Sequence, residues 1–182
     1  MIIAKEKKES NIAEYILYMW QIEDLIRAYN FDIDIINKNI ISQFNQPENI
    51  IIEIKNWYKG LIQMMIEEGI KEKGHLQFIT NIVNDLNKFH SALLISGKHN
   101  KYQQLYSQAA DNINSFKQKT QDKKNNDIEI CLKGLYAILI LRLKKKNISE
   151  GTNSAVKTFS NLLAYLSQQY KKFEKGDLEL VY

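Results

Sequence analysis

The polar side chains best placed to do chemistry lie in one predicted helix, within the segment AEYILYMWQIEDLIRAY (residues 13–29). The apolar residues around them recur at helical spacing: Ile12, Ile16, Met19 and Ile26. Glu23 falls in the middle of this apolar stripe, where a carboxylate must be paired, shifted in pKa or placed at an opening. With Trp20, Asp24 and Arg27 it predicts a polar cluster that lines a pocket or a partner-binding surface. The alternative is an intrahelical Glu23–Arg27 ion pair, worth about 0.2–0.5 kcal/mol.

The histidines do not have the spacing of a metal site. His90 falls on the apolar stripe of its own predicted helix, where a lone histidine is typical of a hydrogen-bonded core residue. Glu72 and His75 form one Glu-x-x-His pair, but a di-iron bundle needs two such pairs and two further glutamates. We therefore expect no metal and no other cofactor, and we keep His90 as a candidate pocket or interface residue together with the cluster around Glu23.

No motif for nucleophilic catalysis or phosphate binding occurs in the chain. The single cysteine, Cys131, lies in an apolar segment without a matched histidine, which predicts a free buried thiol in a reducing compartment. The N-terminal stretch MIIAKEKKES lacks the apolar core of a signal peptide. We expect a cytoplasmic protein that is not an enzyme.

The net charge of +4 and the isoelectric point of about 8.9 favour acidic partners only weakly. Basic runs occur at residues 117–124, 144–146 and 171–175, and nucleic acid is one partner that they could bind. Only Arg27 and Arg142 are arginine, the residue preferred for bidentate phosphate contacts. Nucleic-acid binding therefore stays an alternative to protein binding.

The spacing of apolar residues predicts helices throughout, since no Asn-Gly or Asp-Gly turn and no long alternating run is found. Capping and breaking residues place the predicted helices at 10–29, 32–44, 47–68, 75–96, 99–120, 127–146 and 149–173. Asn11 and Glu14 fit a capping box, Asp32 or Asp34 and Ser149 or Thr152 are N-cap candidates, and Gly97 suits a left-handed C-terminal position.

The segment CLKGLYAILILRLKKK (residues 131–146) poses a choice between a membrane anchor and a core helix. Its unbroken apolar run covers only residues 135–141, whereas a membrane span needs about 20 apolar residues. We therefore expect a core helix buried on nearly every side, in which Gly134 and Ala137 let neighbouring helices approach closely.

The run IAKEKKESNIAEYILYMWQIEDLIRAY, followed by FDID and IISQF, resembles the start of an uncharacterised family of Bacteroidetes proteins of unknown function. The likeness covers most of the chain, and its most specific part is YILYMWQIEDLIRA, which contains Trp20, Gln21, Glu23, Asp24 and Arg27. The resemblance implies a small, soluble bacterial protein of the helical class. It implies no activity, substrate or cofactor.

Together these patterns predict a single-domain, all-α bundle of six or seven helices. Residues 1–9 and 174–182 are candidate flexible ends, although Leu178, Leu180 and Val181 could dock on the body. The leading hypothesis for the function is a scaffold or protein-interaction module that self-associates or binds a protein partner, without membrane insertion. The alternative is a nucleic-acid- or nucleotide-associated protein that uses lysine-rich loops. A third hypothesis is an enzyme or small-ligand binder with a pocket in which Glu23 and His90 converge.

Overall fold

The computed structural model describes residues 2–121 and 124–179 of the chain. Within these residues the chain forms eight α-helices, one short 3-10 helix (Ile41–Gln43) and no β-strand, which confirms the all-helical prediction. The α-helices are α1 (Ile2–Ser10), α2 (Ile12–Ala28), α3 (Ile33–Asn39), α4 (Glu48–Glu67), α5 (Gln77–Ile95), α6 (Asn100–Thr120), α7 (Asp127–Leu143) and α8 (Glu150–Glu174). The count exceeds the predicted six or seven because the first residues form a helix of their own.

The helix ends follow the capping chemistry of the sequence. The Asp32 carboxylate accepts hydrogen bonds from the backbone N–H groups of Asp34 and Ile35, and so caps α3. The Ser149 hydroxyl accepts from Thr152 N–H and caps α8 in the same way. These side chains satisfy N–H groups that have no partner inside a helix.

By its internal contacts the chain divides into two compact units. Unit 1 contains Met1–Lys8 and Glu14–Asn81, and unit 2 contains Glu9–Ala13 and Ile82–Tyr182. Helices α1, α2 and α5 contribute residues to both units. The prediction of one domain stays a prediction.

In unit 1, α3 and the 3-10 helix pack on α4 around buried Ile36, Ile41 and Tyr58. The loop between α4 and α5 contains Gly69 and Gly74, both with positive φ. Gly74 has φ +98°, a conformation that L side chains rarely adopt, so it ends any helical continuation before His75.

In unit 2, helices α6, α7 and α8 pack against one another in pairs. A Cβ atom added to Gly134 of α7 would lie 2.8 Å from two ring carbons of Phe159, which is buried on α8. The prediction that Gly134 admits a close neighbour is thus supported by the geometry of α7 and α8.

Helix α7 differs from the expectation of burial on nearly every side. Its buried residues are concentrated in the first half: Ile128, Ile130, Cys131, Leu132 and Gly134. Of the apolar run 135–141, only Ile138 is buried, and Ala137 and Leu141 are exposed. The expectation was wrong for this run because the neighbouring helices offer small residues there and leave its surface uncovered.

Among the described residues, no helix has the length and apolar character needed to cross a membrane. At the C-terminal end, Leu178 is half-buried, whereas Leu180 and Val181 lie outside the described residues, so the predicted docking of the tail is not described for them.

Candidate functional site

Glu23 of α2 is completely buried, and both of its carboxylate oxygens have partners in unit 1. Oε2 lies 2.6 Å from His75 Nδ1, and Oε1 accepts a 3.0 Å hydrogen bond from the backbone N–H of Leu76. Leu76 directly precedes α5, so the carboxylate occupies the N-terminal end of that helix, where negative charge is favourable. An ionised carboxylate only accepts hydrogen bonds, so Nδ1 of His75 is the donor in this contact whenever Glu23 is ionised.

Trp20 completes this side of the cluster by stacking on the His75 ring. The ring centroids lie 4.3 Å apart and the planes are 15° from parallel. Trp20 is buried, while the His75 side chain keeps 30% of its surface exposed. The stacking and the hydrogen bond to Glu23 together hold the imidazole in one orientation.

Arg27 is one turn further along α2 and binds the same loop. Its guanidinium donates to the carbonyl oxygens of Ile70 and Gly74 and pairs with Asp24 at 2.9 Å. The predicted Glu23–Arg27 ion pair is therefore not formed. Arg27 also lines a cleft of about 380 Å³ on this unit, and Asp24 is exposed.

Glu23 and Arg27 act together as a tether for the α4–α5 loop, because each bonds to loop residues that lie far from it in sequence. A carboxylate-oriented histidine can serve as a general base. In the described part of the chain no hydroxyl or thiol is hydrogen-bonded to His75. Whether Trp20, Glu23, Asp24 and Arg27 bind a partner stays a prediction.

His90 belongs to unit 2 and has a separate set of partners. Its Nδ1 lies 2.6 Å from the Tyr102 hydroxyl, and its ring meets the Tyr106 ring edge at a centroid distance of 5.0 Å. Burial lowers the pKa of His90, against an opposing effect of the Asp127 charge. His90 is thus a hydrogen-bonded neutral core residue, and the structure assigns Glu23 and His90 to different units.

Asp127, the first residue of α7, connects the two ends of the α6–α7 loop. Its carboxylate is 2.5 Å from Lys117 Nζ and accepts a 2.7 Å hydrogen bond from the Tyr106 hydroxyl. Burial alone would raise the pKa of Asp127, but the hydrogen bonds from Lys117 and Tyr106 outweigh burial and lower it. Burial also raises the pKa of Tyr106 to about 12, with the Asp127 charge acting in the same direction.

Cys131 is a free cysteine and is completely buried in α7. Burial raises the pKa of its thiol, which disfavours the reactive thiolate. Within residues 2–121 and 124–179, no group of three or more His, Cys, Asp or Glu side chains could hold a metal ion.

An apolar groove of about 480 Å³ lies among α6, α7 and α8 of unit 2. Its larger apolar residues come from all three helices: Phe116, Ile138, Leu141, Val156 and Phe159. The residues that make it deep are small: Gly134, Ala137, Gly151 and Ala155. The groove coincides with the exposed positions Ala137 and Leu141 of α7. Leu143, which is 67% exposed, lies two residues after Leu141 and therefore on another face of the helix.

One end of this groove is strongly basic. Lys119 lines the groove, and Arg142 and Lys144–Lys146 follow at the end of α7. None of these five cations forms an ion pair with a residue that the structure describes. We call the groove and these five residues the basic-ended groove.

Three further lysines line a second cavity of unit 2, of about 450 Å³, near the start of α2. Lys171 and Lys172 belong to α8, in agreement with the predicted helix at 149–173, and Lys175 follows it. Only Lys175 of the three therefore lies outside a helix. Ser10, Asn11 and Ser167 supply polar groups to the same cavity.

Sequence reasoning found Glu23 but not its partner, since His75 lies 52 residues away and its position depends on the loop conformation. It missed the basic-ended groove entirely. A usable signal was present in the small residues Gly151 and Ala155 opposite the apolar run of α7.

The fold and these cavities define a class: an all-helical protein whose described residues include an apolar groove among three helices. More specifically, the chain belongs to the family described as Domain of unknown function (DUF4924), whose model matches residues 1–177. Comparisons with curated proteins and with solved structures gave no match.

Proposed function

We propose that this protein is a non-enzymatic interaction module of the bacterial cytoplasm that binds a protein partner, or a second copy of itself, in the basic-ended groove. The observation that carries the proposal is the exposed apolar surface of Ala137 and Leu141 on α7, which line a groove of about 480 Å³. Contiguous apolar surface of this kind typically marks a binding site, because its exposure to water is unfavourable.

The polar candidates support the same choice. Both carboxylate oxygens of Glu23 and the guanidinium of Arg27 already bind groups of the chain itself. His90 is engaged with Tyr102 in a buried position. These side chains stabilise the fold, whereas the residues of the groove have apolar surface left to cover.

The test compares two matched tryptophan variants with the wild-type protein. Ala137→Trp fills the groove from an exposed helical position, and Ala28→Trp places the same side chain on an exposed position of α2 in unit 1. Each purified, tagged protein is incubated with extract of the cells that produce it, and the retained proteins are quantified by mass spectrometry. Circular dichroism confirms that the variants are folded.

We expect wild type and Ala28→Trp to retain at least one protein that Ala137→Trp does not retain. The retained protein can be an untagged copy of the chain itself. A native mass spectrum identifies self-association directly, as a multiple of 21.3 kDa that disappears in Ala137→Trp. Equal retention by all three proteins would contradict the proposal. A small molecule that copurifies with wild type and is displaced by Ala137→Trp would also contradict it.

A second candidate function is favoured by the lysine cavity: the binding of a nucleotide or nucleic acid. Lys171, Lys172 and Lys175 line one cavity and have no ion pair with a described residue. Lysines near the end of a helix also complement its dipole without any ligand, which is why this candidate ranks second.

The second candidate predicts a measurable salt dependence. The affinity for a single-stranded oligonucleotide should fall steeply with salt, because phosphate contacts release counterions. Lys172→Glu should weaken binding more than Lys157→Glu, a change of an exposed lysine on α8 that does not line the cavity. Absence of binding at low salt would exclude this candidate.

The third hypothesis, an enzyme or small-ligand binder around Glu23, has less support. It requires Glu23 and His90 to act on one ligand, yet each is buried and hydrogen-bonded to other groups. Its test is a screen for bound metabolites by native mass spectrometry, in which Glu23→Gln should lose the ligand.

A further inference from the structure

We infer that the occupant of the basic-ended groove is an acidic amphipathic helix of a protein partner. This inference rests on the proposed function and names the chemistry of the partner. It follows from three properties of unit 2: the shape of the groove, the position of cations that have no ion pair with a described residue, and the net charge of the unit.

The shape of the groove fits a helix that inserts side chains. The small residues Gly134, Ala137 and Ala155 leave room between the larger walls formed by Phe116 and Val156. Side chains at positions i, i+3, i+4 and i+7 of a partner helix form a ridge that enters such a space. A flat lipid surface would contact the exposed Leu143 but could not reach the residues at the bottom of the groove.

The basic residues of the groove and the net charge of unit 2 indicate that the partner is negatively charged. Lys119 lines the groove, and Arg142 and Lys144–Lys146 follow the lining residue Leu141 along the chain; none of the five has a described ion-pair partner. Asp122 and Glu150 are the carboxylates nearest to them in sequence. Unit 2 as a whole contains 16 Lys and Arg against 10 Asp and Glu residues, a net charge of +6. Unit 1 contains 9 against 11, a net charge of −2. Positive charge is thus concentrated on the unit that contains the groove, and it attracts and orients an acidic partner.

The probe for the test is a synthetic peptide of five turns with leucines at i, i+3, i+4 and i+7 and glutamates on the remaining face. Two control peptides have the same leucines with lysines in place of glutamates, or the same composition in an order that breaks the leucine stripe. Binding of each fluorescent peptide to the full chain is measured by anisotropy at two salt concentrations. Anionic and neutral vesicles are tested in parallel by co-sedimentation.

The protein variants separate charge from shape. Lys119→Glu with Arg142→Glu reverses two cations of the groove, and Lys157→Glu changes an exposed lysine of the same unit that does not line it. Ala137→Trp fills the apolar space without a change in charge. We expect the acidic peptide to bind wild type, with affinity about tenfold lower for the charge reversal and for Ala137→Trp, and within about twofold of wild type for Lys157→Glu.

Three results would overturn the inference. Equal binding of the acidic and basic peptides would remove the role of charge. Equal binding of the ordered and reordered acidic peptides would remove the role of the helix stripe. Binding to anionic vesicles that exceeds peptide binding and is lost in the charge reversal would assign the surface to a membrane.

The experiments also separate failure of this inference from failure of the proposed function. If no peptide binds but Ala137→Trp still abolishes retention of a cellular protein, the groove binds a partner of different chemistry and only this inference fails. If Ala137→Trp changes neither peptide binding nor the retention of cellular proteins, both the inference and the proposed function fail.

Discussion

Replacement of Gly134 by alanine tests the packing of α7 against α8 at a residue that lines the basic-ended groove. Gly134 lies in the middle of α7, and the added Cβ would stand 2.8 Å from Cδ2 and Cε2 of Phe159. Real Cβ contacts are essentially never shorter than 3.0 Å, so the ring or the helix must move. Phe159 is 1% exposed and also meets the Phe116 ring, which limits how far it can shift.

Two opposing contributions set the magnitude. Alanine is favoured over glycine in a helix interior by about 0.8–1.0 kcal/mol. Overpacking of a filled core typically costs about 1–3 kcal/mol. The sum predicts that Gly134→Ala lowers the free energy of unfolding by about 0–2 kcal/mol.

Two other glycines isolate the packing contribution. Gly60 lies inside α4 with no atom within 4 Å of an added Cβ, and Gly151 lies in the first turn of α8, in the same unit as Gly134, with equally open surroundings. Gly60→Ala should raise the stability by up to about 1 kcal/mol and Gly151→Ala by less. The assay is urea unfolding followed by circular dichroism, with the slope compared among the three variants.

A double-mutant cycle identifies the atoms responsible. Phe159→Leu should cost less in the Gly134→Ala background than in wild type, because the smaller side chain makes room for the new methyl group. If Gly134→Ala stabilises the protein as much as Gly60→Ala does, the close approach of α7 and α8 is refuted. The packing of Gly134 against Phe159, which lines the groove, is then refuted as well.

Three further predictions concern buried polar groups. Glu23→Ala should lower the free energy of unfolding by about 1–3 kcal/mol, because Leu76 N–H loses its buried acceptor. Glu53→Ala, which removes an exposed glutamate of α4, is the control, and equal effects of the two changes in urea unfolding would refute the tether. Because burial lowers the pKa of His90, the unfolded chain binds the proton more readily, so stability should decline as pH falls below 6.5. This decline should be shallower in His90→Gln, because the variant lacks the titrating imidazole. If the urea midpoints of wild type and His90→Gln fall by the same amount between about pH 8 and 5, the role of His90 is contradicted. The thiol of Cys131 should react with a disulfide reagent only after unfolding, and fast labelling of the folded protein would show that it is not buried.

The helices were predictable because their signals are local. Asp32 and Ser149 cap the helices that follow them, and Gly97 has the predicted left-handed conformation. Each of these residues acts on a backbone group within a few positions, so spacing alone identifies it. Helix α1 was missed because its sequence, IIAKEKKES, has no apolar stripe of useful length.

The candidate site was predictable only in part. Glu23 was found because a carboxylate on an apolar stripe must have a partner. Its partners were not, because His75 and Leu76 come from a loop whose conformation is set by the positive φ of Gly74. The groove was missed for a related reason: the apolar run of α7 predicts burial, and only the arrangement of three helices shows that part of it is uncovered.

Binding of a protein in the basic-ended groove is tested by protein retention from cell extract with wild type, Ala137→Trp and Ala28→Trp. We expect wild type and Ala28→Trp to retain a partner, or the chain itself, that Ala137→Trp does not retain while its circular dichroism spectrum is unchanged. Retention of the same proteins in the same amounts by all three would contradict it.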